Sequence, residues 1–550
     1  MIKNISLAIV LVGVFSSSLF AQLNANVPLS DPAYVYLQQL QGWQLPVTLI
    51  QGTKPFSYRD FARVYLQTES FLEDNPERQV PQPVANSLRY FQTRLQGDID
   101  HLTNRHKQQQ LHINAIDLLK IGYINYKGQS RSLADPWIDA NIVPFAEYKG
   151  GRRFIEGQNM AIESGHGIAL GNIFSAYYQG RFTFFAPRQS TGLSNRTDYQ
   201  TLRYYFQLAK WNLKLLVGKE NVVWGSGSRG HLMLSANNEA FGNFKSLPLI
   251  QLSNDLPIRL PWIFHGMGPM KFVTFISRLN QNRRDIERPY FIGLRMNFKP
   301  RQSFSFGLSH SYIVGGNNFP ISYTFFDALA EYFFIRSSES VAFSIGDSNK
   351  RNIANHIMGV DFNVTLRKLR NSSFFTELYF DDLSFSIFTL SWQKITAFYS
   401  GFYIPRLTND GRFGLRLEFT HTSRIFYTGS PPLTAGFVYK RNIMGNNLGP
   451  LGKEVFTELL FTPTEKTTWS LLFNFQNRAY TTRLTKRDKS IPDEQRYQIG
   501  GKLSHRITDS VWLHFDLRYM RINSFDHQPI NKNTFYSEIS FEVQNPFHRN

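Results

Sequence analysis

The stretch from Tyr290 to Tyr312, YFIGLRMNFKPRQSFSFGLSHSY, decides the fold. Ile292, Leu294, Met296 and Phe298 share one parity, while Gly293, Arg295 and Asn297 take the other. After a turn expected at Lys299-Pro300, Phe304, Phe306 and Leu308 oppose Ser303, Ser305, Gly307 and Ser309. Side chains alternate between the two faces of a strand, so the apolar set lies on one face and Gly, Ser, Arg and Asn on the other. A wall that is oily outside and wet inside is the requirement of a transmembrane β-barrel.

The pattern recurs along the chain. Phe413, Leu415, Leu417 and Phe419 alternate with Gly414, Arg416, Glu418 and Thr420. Trp469, Leu471, Phe473 and Phe475 alternate with Ser470, Leu472, Asn474 and Gln476, where Leu472 alone breaks the rule. Val511, Leu513, Phe515, Leu517 and Tyr519 face away from Trp512, His514, Asp516, Arg518 and Met520. Some of these segments end in short polar turns (TPTEK, TDS) and others in long Asn/Gly/Arg-rich runs, the asymmetry expected when one end of a barrel faces outward. A large soluble sandwich or propeller also alternates, but it does not combine Phe-dense outward faces with an export signal.

That signal is MIKNISLAIVLVGVFSSSLFAQ, with Lys3 as the positive region, Ile5 to Phe15 as the apolar core and Ala21 as the small residue before the cut; Ala25 is a second candidate. With no cysteine there is no lipidated cysteine, disulfide or thiolate metal site. No later run reaches the roughly 20 apolar residues of a spanning helix. The mean hydropathy of −0.30 excludes a polytopic helical membrane protein and is neutral about a barrel. The 49 Phe and 26 Tyr suit lipid-facing strands and interfacial girdles. A net charge of +19 in an exported chain favours acidic polysaccharide or anionic lipid head groups over nucleic acid.

Before residue 111 the period changes. Asp31 and Pro32 introduce Ala33, Leu37 and Leu40 on one face, and Ser57 with Asp60 forms a capping box before Phe61, Tyr65, Thr68 and Leu72. Pro83 opens a third stripe through Val84, Leu88, Phe91, Leu95 and Leu102. The expected division is a signal peptide over 1–21, a helical bundle over 22–110 capping the periplasmic side, and a barrel over 111–550. At roughly 22 to 25 residues per strand and connection the last part holds about eighteen antiparallel strands. Turn-rich breaks are expected at Gly150-Gly151, Gly315 to Asn318 and Gly445 to Gly452, and Phe541, Val543 and Phe547 would serve the last strand.

Few motifs carry chemistry. Gly225, Gly227 and Gly230 in WGSGSRGHLMLSANN, from Trp224, match G-x-G-x-x-G after a strand, but the charged helix of a dinucleotide site does not follow. A constriction loop where backbone passes closely is the better reading. Glu377 and Asp381 share a strand face with Tyr379, and Asp382 comes next; paired carboxylates could serve a glycosidase or simply line a lumen. His166, His231, His310, His421 and His514 stand singly, so no metal or other cofactor is called for.

Five segments, VPLSDPAYVYLQQL from Val27, WGSG with LMLSANN from Trp224, ELYFDD from Glu377, GLRLEFTHT from Gly414 and NNLGPLG from Asn446, together resemble the Wzi capsule-assembly family. The resemblance implies an outer-membrane barrel of about eighteen strands, blocked on the periplasmic side by a helical bundle, that acts as a lectin for capsular polysaccharide. The reading is therefore a non-enzymatic protein that binds and retains capsular or exopolysaccharide at the cell surface, as a monomer surrounded by outer-membrane lipid and lipopolysaccharide. Trp224, Arg229, Asn237, Asn238, Asp381 and Asp382 are the expected polysaccharide contacts. A porin or transporter for anionic solutes is the alternative, and a surface glycosidase the third.

Overall fold

The computed structural model describes residues 25–78, 80–103, 111–133, 137–142, 144–145, 152–171, 173–228, 230–235, 246–317, 354–381, 396–429, 432–480 and 490–544. The signal peptide, the glycine pair at 150–151 and Phe547 lie outside these residues.

Eighteen strands close into one antiparallel barrel, counting the short Ile258–Arg259 as a continuation of Leu247–Asn254 along the same partner. Each strand pairs with its neighbours in the chain, and the first, Leu111–Lys127, pairs with the last, Lys532–Gln544, which carries Phe541 and Val543. The alternation read from the sequence sets the two faces. Leu471 is 56% exposed on the outer wall while Leu472, the exception to the pattern, is 1% exposed inside. In Tyr290–Arg301, Phe291, Gly293, Arg295 and Asn297 are buried and Ile292, Leu294 and Met296 point outward. In water so continuous an apolar surface would drive association; in a bilayer it is the lipid contact.

One expected turn falls elsewhere. The strand runs on through Lys299 and Pro300 to Arg301, and the connection is Gln302-Ser303. The register shifts between Phe298 and Arg301, a bulge in which Pro300, having no N–H to donate, is tolerated.

Connections at one end are short, such as 211–212, 302–303 and 465–466, and at the other long, such as 423–451. Three helices occupy the short-turn end: α1 (Ala33–Gly42), α2 (Tyr58–Glu73) and α3 (Gln82–Thr103). Asp31 Oδ1 accepts the Ala33 N–H at 2.9 Å at the start of α1. The capping box of α2 is complete, with the Ser57 N–H donating to Asp60 Oδ2 at 3.0 Å and the Asp60 N–H to Ser57 Oγ at 3.2 Å. The helices are tied to the wall near the short turns. Asn371 Nδ2 donates to the Gly42 carbonyl at 3.0 Å, and Lys299 Nζ to that of Val47 at 2.7 Å.

The central weld is Asp117. The register of the first strand shifts between Asn114 and Leu118, and Asp117 lies buried within that bulge. Its carboxylate accepts from Arg94 Nη2 of α3 at 2.7 Å, from the Tyr58 hydroxyl of α2 at 3.0 Å and from the wall's Tyr177 hydroxyl at 2.9 Å. From there a continuous apolar core runs through Tyr36, Phe61 and Phe91 of the helices to Trp224, Phe275 and Phe437 above them.

Two outcomes are expected. The protein fractionates with outer membranes and migrates faster unheated than boiled in detergent gels; recovery as a detergent-free soluble monomer would refute the lipid-facing wall. Asp117→Ala strands the Arg94 cation without its nearest carboxylate, a loss of roughly 3 to 5 kcal/mol for a broken buried pair. Limited trypsin digestion should then cleave within α2 and α3 while the heat-modifiable barrel band persists.

Candidate functional site

After Leu213–Glu220 the chain turns into the lumen. Thr53 and Lys54 pair with Trp224 and Val223 in a two-stranded ladder, and the Gly225 N–H donates to the Gly52 carbonyl at 2.9 Å. The N-terminal segment and this inserted loop thus form one piece.

The glycines follow from what the loop passes. Gly225 has φ of +126°, and a Cβ there would collide with the Glu377 carboxylate and the His231 ring. A Cβ at Gly227 would collide with the Tyr399 ring. Close approach of backbone to side chain, not a phosphate cradle, sets this spacing.

Two wall carboxylates hold the loop. Glu377 of Ser372–Asp381 accepts the Leu232 N–H at 3.1 Å and lies 2.6 Å from His231 Nδ1. Burial, with the Lys54 charge added, pushes the His231 imidazole down to about 3, so the ring is neutral at ordinary pH. Glu418 of Phe413–Thr422 accepts from the Ser228 N–H at 3.1 Å, from its hydroxyl at 2.7 Å and from the Tyr399 hydroxyl at 2.8 Å. The loop 423–451 closes from above. The Tyr427 N–H donates to Asp381 Oδ2 at 2.6 Å, its hydroxyl donates to the Leu232 carbonyl, and that same oxygen accepts the Asn446 N–H at 2.8 Å. Asn446 Nδ2 donates to the Gly230 carbonyl at 2.9 Å.

Of the expected contact residues, Trp224 is 0% exposed, its ring 5.5 Å from that of Phe275, and Asp381 is 1% exposed. Arg229, Asn237, Asn238 and Asp382 lie outside the described residues. The structure joins the two sequence segments, from Trp224 and from Glu377, through Glu377 itself. Ser228, His231, Tyr399, Glu418 and Tyr427 complete the assembly and were not singled out as contacts. Glu418 and Asn446 fall within quoted segments, whereas Tyr427, with φ of +73° in an irregular loop, leaves no periodic trace. Chemically the arrangement is a brace: Glu377, Glu418 and Asp381 are enclosed and each accepts from the protein. Among the described residues no three His, Cys, Asp or Glu side chains converge as metal ligands would.

The family model described as capsule assembly protein Wzi matches residues 144–535. No curated protein sequence is significantly similar. Among solved structures, the chain is similar to Wzi of Escherichia coli, described as an outer-membrane protein involved in group 1 capsule assembly and a carbohydrate-binding β-barrel. The TM-score is 0.63 at 16% identity, covering 94% of this chain and 99% of that one. A BenF-like porin from Pseudomonas fluorescens aligns with a TM-score of 0.42 at 8% identity, over 78% of this chain and 98% of that one. OprD of Pseudomonas aeruginosa aligns at 0.41 and 9%, over 78% and 94%. With the family model spanning most of the barrel, and with the wall facing lipid, this outer-membrane chain belongs to the Wzi capsule-assembly family.

Proposed function

We propose that the protein binds capsular or related surface polysaccharide and retains it on the outer membrane, without catalysis. The filled lumen carries this reading. The core is continuous from α1 to the 423–451 loop, and the cavity beside α1, lined by Tyr34, Gln38, Lys54, Tyr403, Arg416 and Lys502, measures about 180 Å³. That is room for a few waters and none for a sugar chain, which supports holding polymer at the surface over passing it. A porin for anionic solutes, the alternative reading, needs an aqueous channel.

In this proposal residues 1–21 direct export, 22–110 close the periplasmic mouth, the short turns face the periplasm and the long loops face outward. The barrel acts as a monomer within outer-membrane lipid and lipopolysaccharide. Polysaccharide is held by groups from the sequence segments that the brace joins: Arg229, Asn237 and Asn238 from one, Asp382 from the other. Trp224 and Asp381 serve the same site from within. Polar side chains with aromatic rings suit the hydroxyl and carboxylate groups of sugars.

Arg229→Ala with Asn238→Ala should weaken binding of the purified protein to its own host's polysaccharide by roughly 1 to 3 kcal/mol. Cell-bound polysaccharide should fall while barrel abundance and heat-modifiable migration stay normal. Glu377→Ala should act in the other order, lowering barrel abundance first and retention only in proportion. Unchanged retention in the Arg229/Asn238 variant at normal abundance would remove those contacts from the proposal.

A further inference from the structure

Leu213–Glu220 is one of the two shortest full strands of the wall, at eight residues. Its neighbour Arg196–Lys210 pairs with it only from Tyr204 to Lys210, so the edge 196–203 rises past it with no ladder partner on that side among the described residues. Lys219 Nζ donates to the Thr201 carbonyl on this edge. Arg153 fastens to the same stretch, its Nη1 2.8 Å from Asp198 Oδ2 and its N–H donating to Gln200 Oε1 at 3.2 Å.

A third cation comes from the outer loops. Val438 and Tyr439 pair with Ile443 and Asn442 in a small hairpin whose two turn residues are Lys440 and Arg441. Both have left-handed backbone, with φ of 50° and 60°, in a turn where Asn-Gly is the unstrained choice. The tip is clamped: the Lys440 N–H donates to Asn280 Oδ1 at 2.9 Å, and Arg441 Nε lies 3.1 Å from Asp139 Oδ1. The Lys440 ammonium stands 5.3 Å from the centre of the Tyr439 ring.

Lys219 and Arg153 thus fasten to adjacent residues of one edge, Thr201 and Gln200, and Lys440 stands within reach of the Arg153 charge. Burial, together with the Arg153 charge, pushes the Lys440 ammonium below its ordinary range. Arg153 has Asp198, but neither lysine makes an ion pair among the described residues. A strained turn and a protected strand edge therefore present converging positive charge that the protein itself leaves largely uncompensated, an arrangement an anion would relieve.

We propose that Arg153, Lys219 and Lys440 form a site for the phosphate-bearing head group of the outer-leaflet glycolipid, clamping this part of the wall to lipopolysaccharide. The wall favours lipid over polymer. Lys219 has the outward parity of Leu213, Leu215 and Val217, so its ammonium, bonded to the Thr201 carbonyl, stands at the outer end of an apolar lipid-facing stripe. Tyr204, paired with Lys219, and Tyr199 are exposed beside it as interfacial aromatics. Three donors in two chemical forms match the oxygens of a phosphate. The assignment rests on the outward orientation of the long loops proposed above.

The test measures binding of detergent-solubilised full-length protein to lipid A carrying both phosphates, to dephosphorylated lipid A and to polygalacturonate. Wild type should prefer the phosphorylated lipid by about tenfold, as for two partly exposed ion pairs with phosphate. Lys219→Gln with Lys440→Gln should abolish that preference and leave polygalacturonate binding unchanged. Because Lys219 also caps the strand edge, Lys440→Gln alone is the second variant; it should lose about half the preference on a logarithmic scale with unaltered heat-modifiable migration. A preference that survives in both variants overturns the site. Loss of polygalacturonate binding with the lipid preference intact overturns it too, because the cluster would then belong to polymer. If instead the Arg229/Asn238 variant retains polysaccharide normally while the lipid arm behaves as expected, only the polysaccharide contacts fall.

Discussion

Hydrocarbon offers no partner to a backbone N–H or carbonyl, and each unsatisfied group costs several kcal/mol, so the sheet of this protein has to close. The ladder between Leu111–Lys127 and Lys532–Gln544 is that requirement met. Closure divides every strand into a lipid parity and a lumen parity. The departures are few and placed: a bulge that shelters Pro300, another that buries Asp117, and an edge at 196–203 that a lysine caps at Thr201.

A ring of eighteen strands encloses more space than its own side chains can fill. The chain fills it with three imported pieces: the helices, the loop after Glu220 and the 423–451 segment. Each is held by wall or near-wall carboxylates that accept hydrogen bonds from it. Asp117 takes the helices, Glu377 and Glu418 take the loop, and Asp381 takes the segment above. In a low-dielectric interior a multiply satisfied carboxylate is a strong and specific joint, whereas the same group left unpaired is a large penalty. The lumen arginines follow the same logic, as in the 2.8 Å pair of Arg295 with Asp361.

This distribution gives the net positive charge a place. Much of the lumen charge is paired, as Arg94 with Asp117 and Arg203 with Glu220.

The sequence alone determined the wall. Period-two alternation needs only local geometry, so the strand faces, the eighteen-strand size and even the stray Leu472 could be read from it, as could the capping box of Ser57 and Asp60. The five motif segments, in their order, carried the family resemblance. What tertiary structure decided was which distant groups meet. Trp224, Glu377, Tyr427 and Asn446 are far apart in the chain, and no periodicity links them until closure brings their strands and loops over one lumen. The same holds for Arg153, Lys219 and Lys440, whose convergence depends on where one strand stops. Exposure too is a property of the assembled barrel: Trp224 and Asp381 lie beneath the segments packed over them, and the turn after Lys299-Pro300 moved because a bulge absorbed the proline. Local pattern specifies faces because each side chain's direction is set by its own backbone, whereas a site is specified by closure, which acts on the whole chain at once.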